Sequence, residues 1–97
     1  MDGWAALADP TRRTIFQLVD ARPRAVRELA EVLPVTRPAV SQHLKLLKSA
    51  GLVLDRAEGT RRIYRADLEG LRELGTQLDR FWNEALTNFR QFVEEEP

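Results

Sequence analysis

Thr36-Arg37-Pro38-Ala39-Val40-Ser41-Gln42-His43-Leu44-Lys45-Leu46-Leu47-Lys48-Ser49-Ala50-Gly51 is the stretch whose reading decides the fold. Thr36 is an N-cap residue, Pro38 is tolerated inside a first turn, and Gly51 is a helix stop, so the spacing predicts a helix over 37–50. Val40, Leu44 and Leu47 fall at i, i+4 and i+7 and define a buried seam. The opposite face carries Arg37, Pro38, Ser41, Gln42, Lys45 and Lys48: short hydrogen-bonding groups in front, cations behind. Just upstream, Val26, Leu29, Ala30 and Leu33 give the stripe of a short helix over 26–33, which Pro34 stops. Three residues, Pro34-Val35-Thr36, separate the two. Two short helices, a tight turn and a polar outer face on the second make a helix-turn-helix reading.

Working outward, Asp9-Pro10 opens a helix over about 10–20, because Asp accepts from the free first-turn N–H groups and Pro loses nothing at that position. Arg22-Pro23 ends it. Trp4, Ala5, Leu7 and Ala8 predict a short preceding helix over 4–8 that packs on something outside itself. Beyond Gly51 the period changes, and 52–57 and 61–66 read as strands around Glu58-Gly59-Thr60, a hairpin with a basic tip. Alternation puts Arg62 and Tyr64 on one face and Arg61, Ile63 and Arg65 on the other, and leaves open which of Ile63 and Tyr64 faces the body. Asp67 caps a last helix over 68–93, in which Leu71, Leu74, Leu78, Trp82, Ala85, Phe89 and Phe92 form a heptad-like seam. At ~1.5 Å per residue this helix spans ~39 Å, against a radius of gyration of ~12.5 Å for a compact chain of this size. It should project, and its seam needs a partner. The expectation is a homodimer whose interface joins the first and last helices through Trp4, Leu7, Leu71, Leu74, Leu78, Trp82, Ala85 and Phe89. The fold class is therefore mainly α with a small β-hairpin wing, in one domain over 1–97.

Composition bounds the chemistry. With 43% hydrophobic and 31% charged residues the chain is of globular type. There is no cysteine and a single histidine, His43, so disulfides, thiolate metal sites, cysteine nucleophiles and His-His chemistry are excluded. No phosphate-cradling glycine loop is present either, so the expectation is no enzyme, no cofactor and no metal. No apolar run approaches a membrane span, which makes the expected location cytoplasmic. Fifteen Lys and Arg cancel fifteen Asp and Glu overall, but residues 1–66 hold twelve cations against seven carboxylates and residues 67–97 three against eight. The positive excess gathers over 36–65, the candidate anion-binding surface.

Reading sequence requires a rod narrow enough for the ~12 Å major groove, carrying side chains that present paired donors and acceptors to base edges. Arg37, Pro38, Ser41 and Gln42 are the base-reading candidates, Arg37 being able to take a guanine or a phosphate. Lys45 and Lys48 are expected to neutralise phosphates, with Thr36 and His43 beside them. Arg56, Arg61 and Arg62 in the wing should touch phosphates or the adjacent minor groove and add affinity more than specificity. Thr11, Arg12 and Arg13 stand at a helix start, where cations oppose the macrodipole and so need another job, such as phosphate or interface pairing.

Three segments together resemble the ArsR family of bacterial winged-helix repressors: Leu7 to Arg13, Pro38 to Lys48 with Gly51-Leu52-Val53, and Gly59-Thr60-Arg61-Arg62-Ile63-Tyr64. The resemblance runs from Leu7 to about Phe92. It implies a dimeric transcriptional repressor that binds double-stranded DNA and leaves its operator when an effector, here unknown, arrives. Metal-sensing members carry a cysteine pair on the helix corresponding to Arg27–Leu33, or Asp, His and Glu ligands on the last helix. This chain has neither set, and its Phe81-Trp82-Asn83-Glu84-Ala85-Leu86 run resembles the branch that does not sense metals. Two other readings compete: a winged-helix module that binds protein, which would carry apolar residues where Ser41, Gln42 and Lys45 stand, and an architectural protein that binds any duplex.

Overall fold

The computed structural model describes residues 1–95, and its helices begin where a polar side chain can take up free N–H groups. Helix α1 (Gly3–Ala8) starts at Asp2, whose Oδ1 accepts from the Ala5 N–H at 2.8 Å. Helix α2 (Pro10–Ala21) starts at Asp9, which accepts from the Arg12 N–H at 2.8 Å. For α3 (Val26–Val32) no N-cap side chain is available, and the Glu28 carboxylate reaches back to the Ala25 N–H at 3.5 Å instead. The Thr36 hydroxyl opens α4 (Arg37–Ser49) by accepting from Ala39 at 3.3 Å, and Asp67 opens α5 (Leu68–Glu95) by accepting from Glu69 and Gly70.

The end of α4 sets where the wing begins. Gly51 takes a φ of 77°, and the Gly51 and Leu52 N–H groups return to the carbonyls of Lys48 and Leu47, both at 3.0 Å. This is the paired closure that only a left-handed residue allows. Because the Leu52 N–H is spent on the helix, the strand expected over 52–57 begins one residue later: β2 is Val53–Glu58. Its partner β3 (Arg61–Ala66) pairs antiparallel from Val53↔Ala66 to Glu58↔Arg61, so the turn is two residues, Gly59-Thr60, not three. Gly59, at φ 63°, fills the first of them, where a II′ turn demands positive φ.

A third strand has no counterpart in the sequence reading. Residues Arg24–Ala25 form β1 and pair antiparallel with β3, Arg24 opposite Tyr64 and Ala25 opposite Ile63, giving the order β1-β3-β2. Two residues after a proline carry no alternation to read, and the partner strand alone reveals them. Both faces of β3 are covered: Ile63 is buried beside Ala25, outside the main core cluster, while Tyr64 on the other face is half-buried against that cluster. Helix ends differ from expectation by one or two residues. Leu33 and Ala50 are C-caps, not helical, and α5 continues to Glu95, past residue 93.

Ile15, Val19, Leu29, Val40, Leu44, Leu47, Leu52 and Val53 are fully buried and join α2, α3, α4 and the root of the wing. Leu7, Leu71 and Leu74 lie half-buried against this cluster. Past Leu74, α5 leaves the body. None of its residues is buried, the longest dimension of the molecule is 66 Å, and the radius of gyration is 17.6 Å, against ~12.5 Å for a compact chain of this length.

The first turn of α5 sits directly on the α4 stop: a Cβ on Gly70 would overlap the Gly51 carbonyl, whereas Gly51 itself has open space around it. Gly51→Ala should therefore cost only the left-handed strain, about 1–2 kcal/mol, while Gly70→Ala should cost more because backbone has to move. Denaturant unfolding at one fixed chain concentration checks this, and a Gly70→Ala variant as stable as the parent would contradict it.

Candidate nucleic-acid interface

Turning α4 so that Val40, Leu44 and Leu47 are buried leaves Thr36, Arg37, Pro38, Ser41, Gln42, Lys45 and Lys48 exposed along its outer face. No apolar side chain larger than proline stands among them. The first turn of α4 and the wing tip share a groove of about 480 Å³, whose wall includes Arg27, Arg37, Ser41, Thr60, Arg61 and Arg62. Arg27 and Thr60 were not among the expected site residues. Each looked like an ordinary surface position, and only the strand register brings the wing tip opposite α3 and α4.

The cations of this surface fall into three groups. Arg56 pairs with Glu58 at 3.2 Å, Arg61 with Glu28 and Glu58 at 3.8 Å, and Arg27 with Glu31 at 3.4 Å. Glu28 is half-buried and the other members lie in solvent, where such pairs contribute little stability. Lys48 and Arg62 differ, because both hold one carboxylate, Asp55, at 2.7 and 3.3 Å, and its side chain is only 8% exposed. Among the described residues, Arg37, Lys45 and Arg65 have no carboxylate within ion-pair distance.

Asp55 titrates below the ordinary 3.8, chiefly because the Lys48 ammonium hydrogen-bonds to it; burial opposes the shift, and the charges of Lys48 and Arg62 add to it. Asp9 and Glu28 are lowered too, first by the backbone N–H groups of Arg12 and Ala25 that they cap.

Arg12 turns inward. Buried to 8% exposure, it donates from Nε to the Ala6 carbonyl at 2.7 Å and from a terminal nitrogen to Ala5 at 3.5 Å. Arg13 donates to Leu7 at 3.3 Å. The last carbonyls of a helix lack partners, and these two arginines supply them for α1, a role within the chain and not the phosphate or interface pairing expected. The other terminal nitrogen of Arg12 lies 3.4 Å from Nδ1 of His43. Because a guanidinium only donates, Nδ1 accepts there. His43 is thus half-buried and tied to α2, on the flank of the outer face of α4.

Away from this surface, Trp4 is exposed and donates from Nε1 to Gln77 at 3.0 Å, and with Leu78 and Phe81 they line an apolar pocket of about 450 Å³. Trp82 and Phe89 are each 62% exposed, and Leu78 and Ala85 are exposed on the same side. Leu7, Leu71 and Leu74, expected on the same interface, are instead half-buried against the chain's own core. Among the described residues no group of three or more His, Asp or Glu side chains gathers as a metal site, and no helix is long and apolar enough to cross a membrane.

A helix-turn-helix body, a wing beside the second helix and an arginine-lined groove between them define a winged helix-turn-helix protein. Comparison with known proteins agrees: a family described as "Helix-turn-helix domain" matches residues 7–56. The chain is 58% identical over 93 residues to the HTH-type transcriptional regulator Rv2034 of Mycobacterium tuberculosis, covering 96% of this chain and 87% of that one. A solved structure described as a possible transcriptional regulator for arsenical resistance superposes with a TM-score of 0.80 at 38% identity, over 100% of this chain and 99% of that one. Another, the homodimeric winged helix-turn-helix DNA-binding domain of a possible ArsR-family regulator from Mycobacterium bovis, gives 0.66 at 35% identity over 82% and 74%. The chain belongs to the ArsR family of transcriptional regulators, DNA-binding proteins and not enzymes.

The lowered pKa of Asp55 makes stability depend on pH in acid. A carboxylate whose folded pKa is depressed adds stability that is present above its unfolded value and is lost as pH falls through the folded value. Asp55→Asn should therefore cost about 1–2 kcal/mol at pH 7, and the gap to the parent should close progressively in acid below the ordinary carboxylate range. Urea unfolding at a series of pH values checks this; a gap that stays constant down to the lowest pH would contradict it.

Proposed function

We propose that this chain is a homodimeric, sequence-specific repressor that binds an inverted-repeat operator in double-stranded DNA and does not respond to metals. The observation that carries the reading is the outer face of α4, polar and cationic apart from Pro38 and opening onto a groove walled by four arginines. Gln42 and Ser41 present hydrogen-bonding groups to base edges, Arg37 takes a guanine or a phosphate, and Pro38 shapes the first turn. Lys45 neutralises backbone phosphate, and Lys48, Arg56, Arg61 and Arg62 do so after leaving their carboxylates. The Thr36 hydroxyl is already engaged as a cap, so its contribution is to aim the helix.

Dimerisation is supported by the uncovered stripe of Leu78, Trp82, Ala85 and Phe89, with Trp4 beside it, and by the homodimeric relative from Mycobacterium bovis. Two-fold symmetry then places two recognition helices against half-sites about one or two helical turns apart. Binding over a promoter would exclude polymerase, and such a regulator works in the cytoplasm beside the chromosome. The absence of cysteine and the single histidine support a metal-independent effector step. The protein-binding alternative is disfavoured by the polarity of Ser41, Gln42 and Lys45. The architectural alternative predicts equal binding to all duplexes.

Selection of bound duplexes from a random pool at physiological salt tests the reading directly. The expected result is an enriched inverted repeat, and recovery of an unenriched pool would contradict it. On the selected duplex, Gln42→Ala should weaken binding by about 1–3 kcal/mol while leaving random duplex unaffected. Equal losses on both would remove Gln42 from base reading.

A further inference from the structure

We propose, resting on the DNA-binding reading, that Asp55 is a specificity-determining residue: an internal carboxylate that occupies Lys48 of the recognition helix and Arg62 of the wing and so withholds them from phosphates of non-cognate DNA.

Asp55 lies on β2 opposite Tyr64, on the sheet face turned toward the last turn of α4. Its carboxylate bridges two elements that flank a docked duplex, with one oxygen on Lys48 and the other on Arg62. The two partners are 54% and 60% exposed, whereas the carboxylate between them is 8% exposed. This asymmetry separates the cluster from the wing's other ion pairs, whose carboxylates are more open to solvent: Glu58 is exposed and Glu28 half-buried. A phosphate approaching Arg56 competes with a mobile, hydrated carboxylate, but one approaching Lys48 or Arg62 competes with an anion fixed in place and partly shielded from water. The exchange is favourable only when the phosphate arrives at hydrogen-bonding distance in the right direction, as it does once α4 has seated fully in a groove whose bases match. A duplex held loosely on the surface meets a cluster of two cations carrying one net positive charge. Asp55 also adds a negative charge beneath the phosphate track, which penalises loose association in the same direction.

Neutralising this one carboxylate should therefore raise affinity for the wrong DNA. Asparagine matches aspartate in shape and still accepts from Lys48, but it carries no charge. Asp55→Asn should bind a random duplex about tenfold more tightly near physiological salt, with the logarithmic salt dependence steeper by about 0.9 for each phosphate gained, up to two. Affinity for the selected inverted repeat should change less, so the ratio of specific to random binding falls. A merely structural role would weaken binding to both duplexes together and leave the random-duplex slope unchanged, and that result would overturn the proposal. Should Asp55→Asn fail to fold, the parent background decides the matter. Lys48→Gln combined with Arg62→Gln should flatten the slope on the selected duplex by about two contacts and on random duplex by less than one. Equal flattening on both would overturn the proposal. A parent protein with no preference for any selected duplex would instead sink the DNA-reading function itself, and the role of Asp55 with it.

Discussion

The structure depends on a helix that cannot be satisfied by its own chain. Only the first two turns of α5 reach the core, through Leu71 and Leu74. Beyond them Phe81, Trp82, Phe89 and Phe92 are each more than 60% exposed on a helix that carries the molecule out to 66 Å. Large aromatic side chains dominate the energetics of buried interfaces, and a contiguous apolar face of this kind marks an interaction surface. A second copy meeting this face would bury it and fix the distance between two recognition helices in one step. The same apolar stripe would then supply stability to a small core and set the spacing at which DNA is read.

Two charged side chains connect that scaffold to the reading surface. Arg12 fills the open carbonyl end of α1 and touches His43 on α4, so the short helix beside the α5 stripe and the recognition helix are joined through one guanidinium. Asp55 does the corresponding work on the other side, tying the last turn of α4 to the wing. Between them, α4 is held near its middle at His43, in its last turn at Lys48, and along its length by Val40, Leu44 and Leu47. The face left over is the exposed, largely polar one.

Helices α2, α4 and α5 were legible because each begins at a capping residue and repeats apolar residues at helical spacing, with Asp9-Pro10, Thr36 and Asp67 read the same way in sequence and structure; α1 and α3 were legible from their apolar residues alone. The seam of α4 and the projection of α5 came from the same signal. Other features depended on partners distant in the chain. Strand β1 is two residues long and exists only because Tyr64 and Ile63 lie opposite. The delayed start of β2 reflects the return of Leu52 to Leu47, and the close approach of Gly70 to Gly51 has no local signature. Within the candidate site the residue types on the outer face of α4 were plain, but the pairing of charges was not. Lys48 and Arg62 look like free surface cations until the fold supplies Asp55, and the partner that Arg12 needs at its helix start is the Ala6 carbonyl only once α1 is in place.

Coverage of α5 by a second copy is the central claim, and sedimentation equilibrium of the free chain at micromolar concentration measures it directly. The predicted result is the mass of two chains, with no monomer in appreciable amount; a species of single-chain mass throughout that range would contradict it.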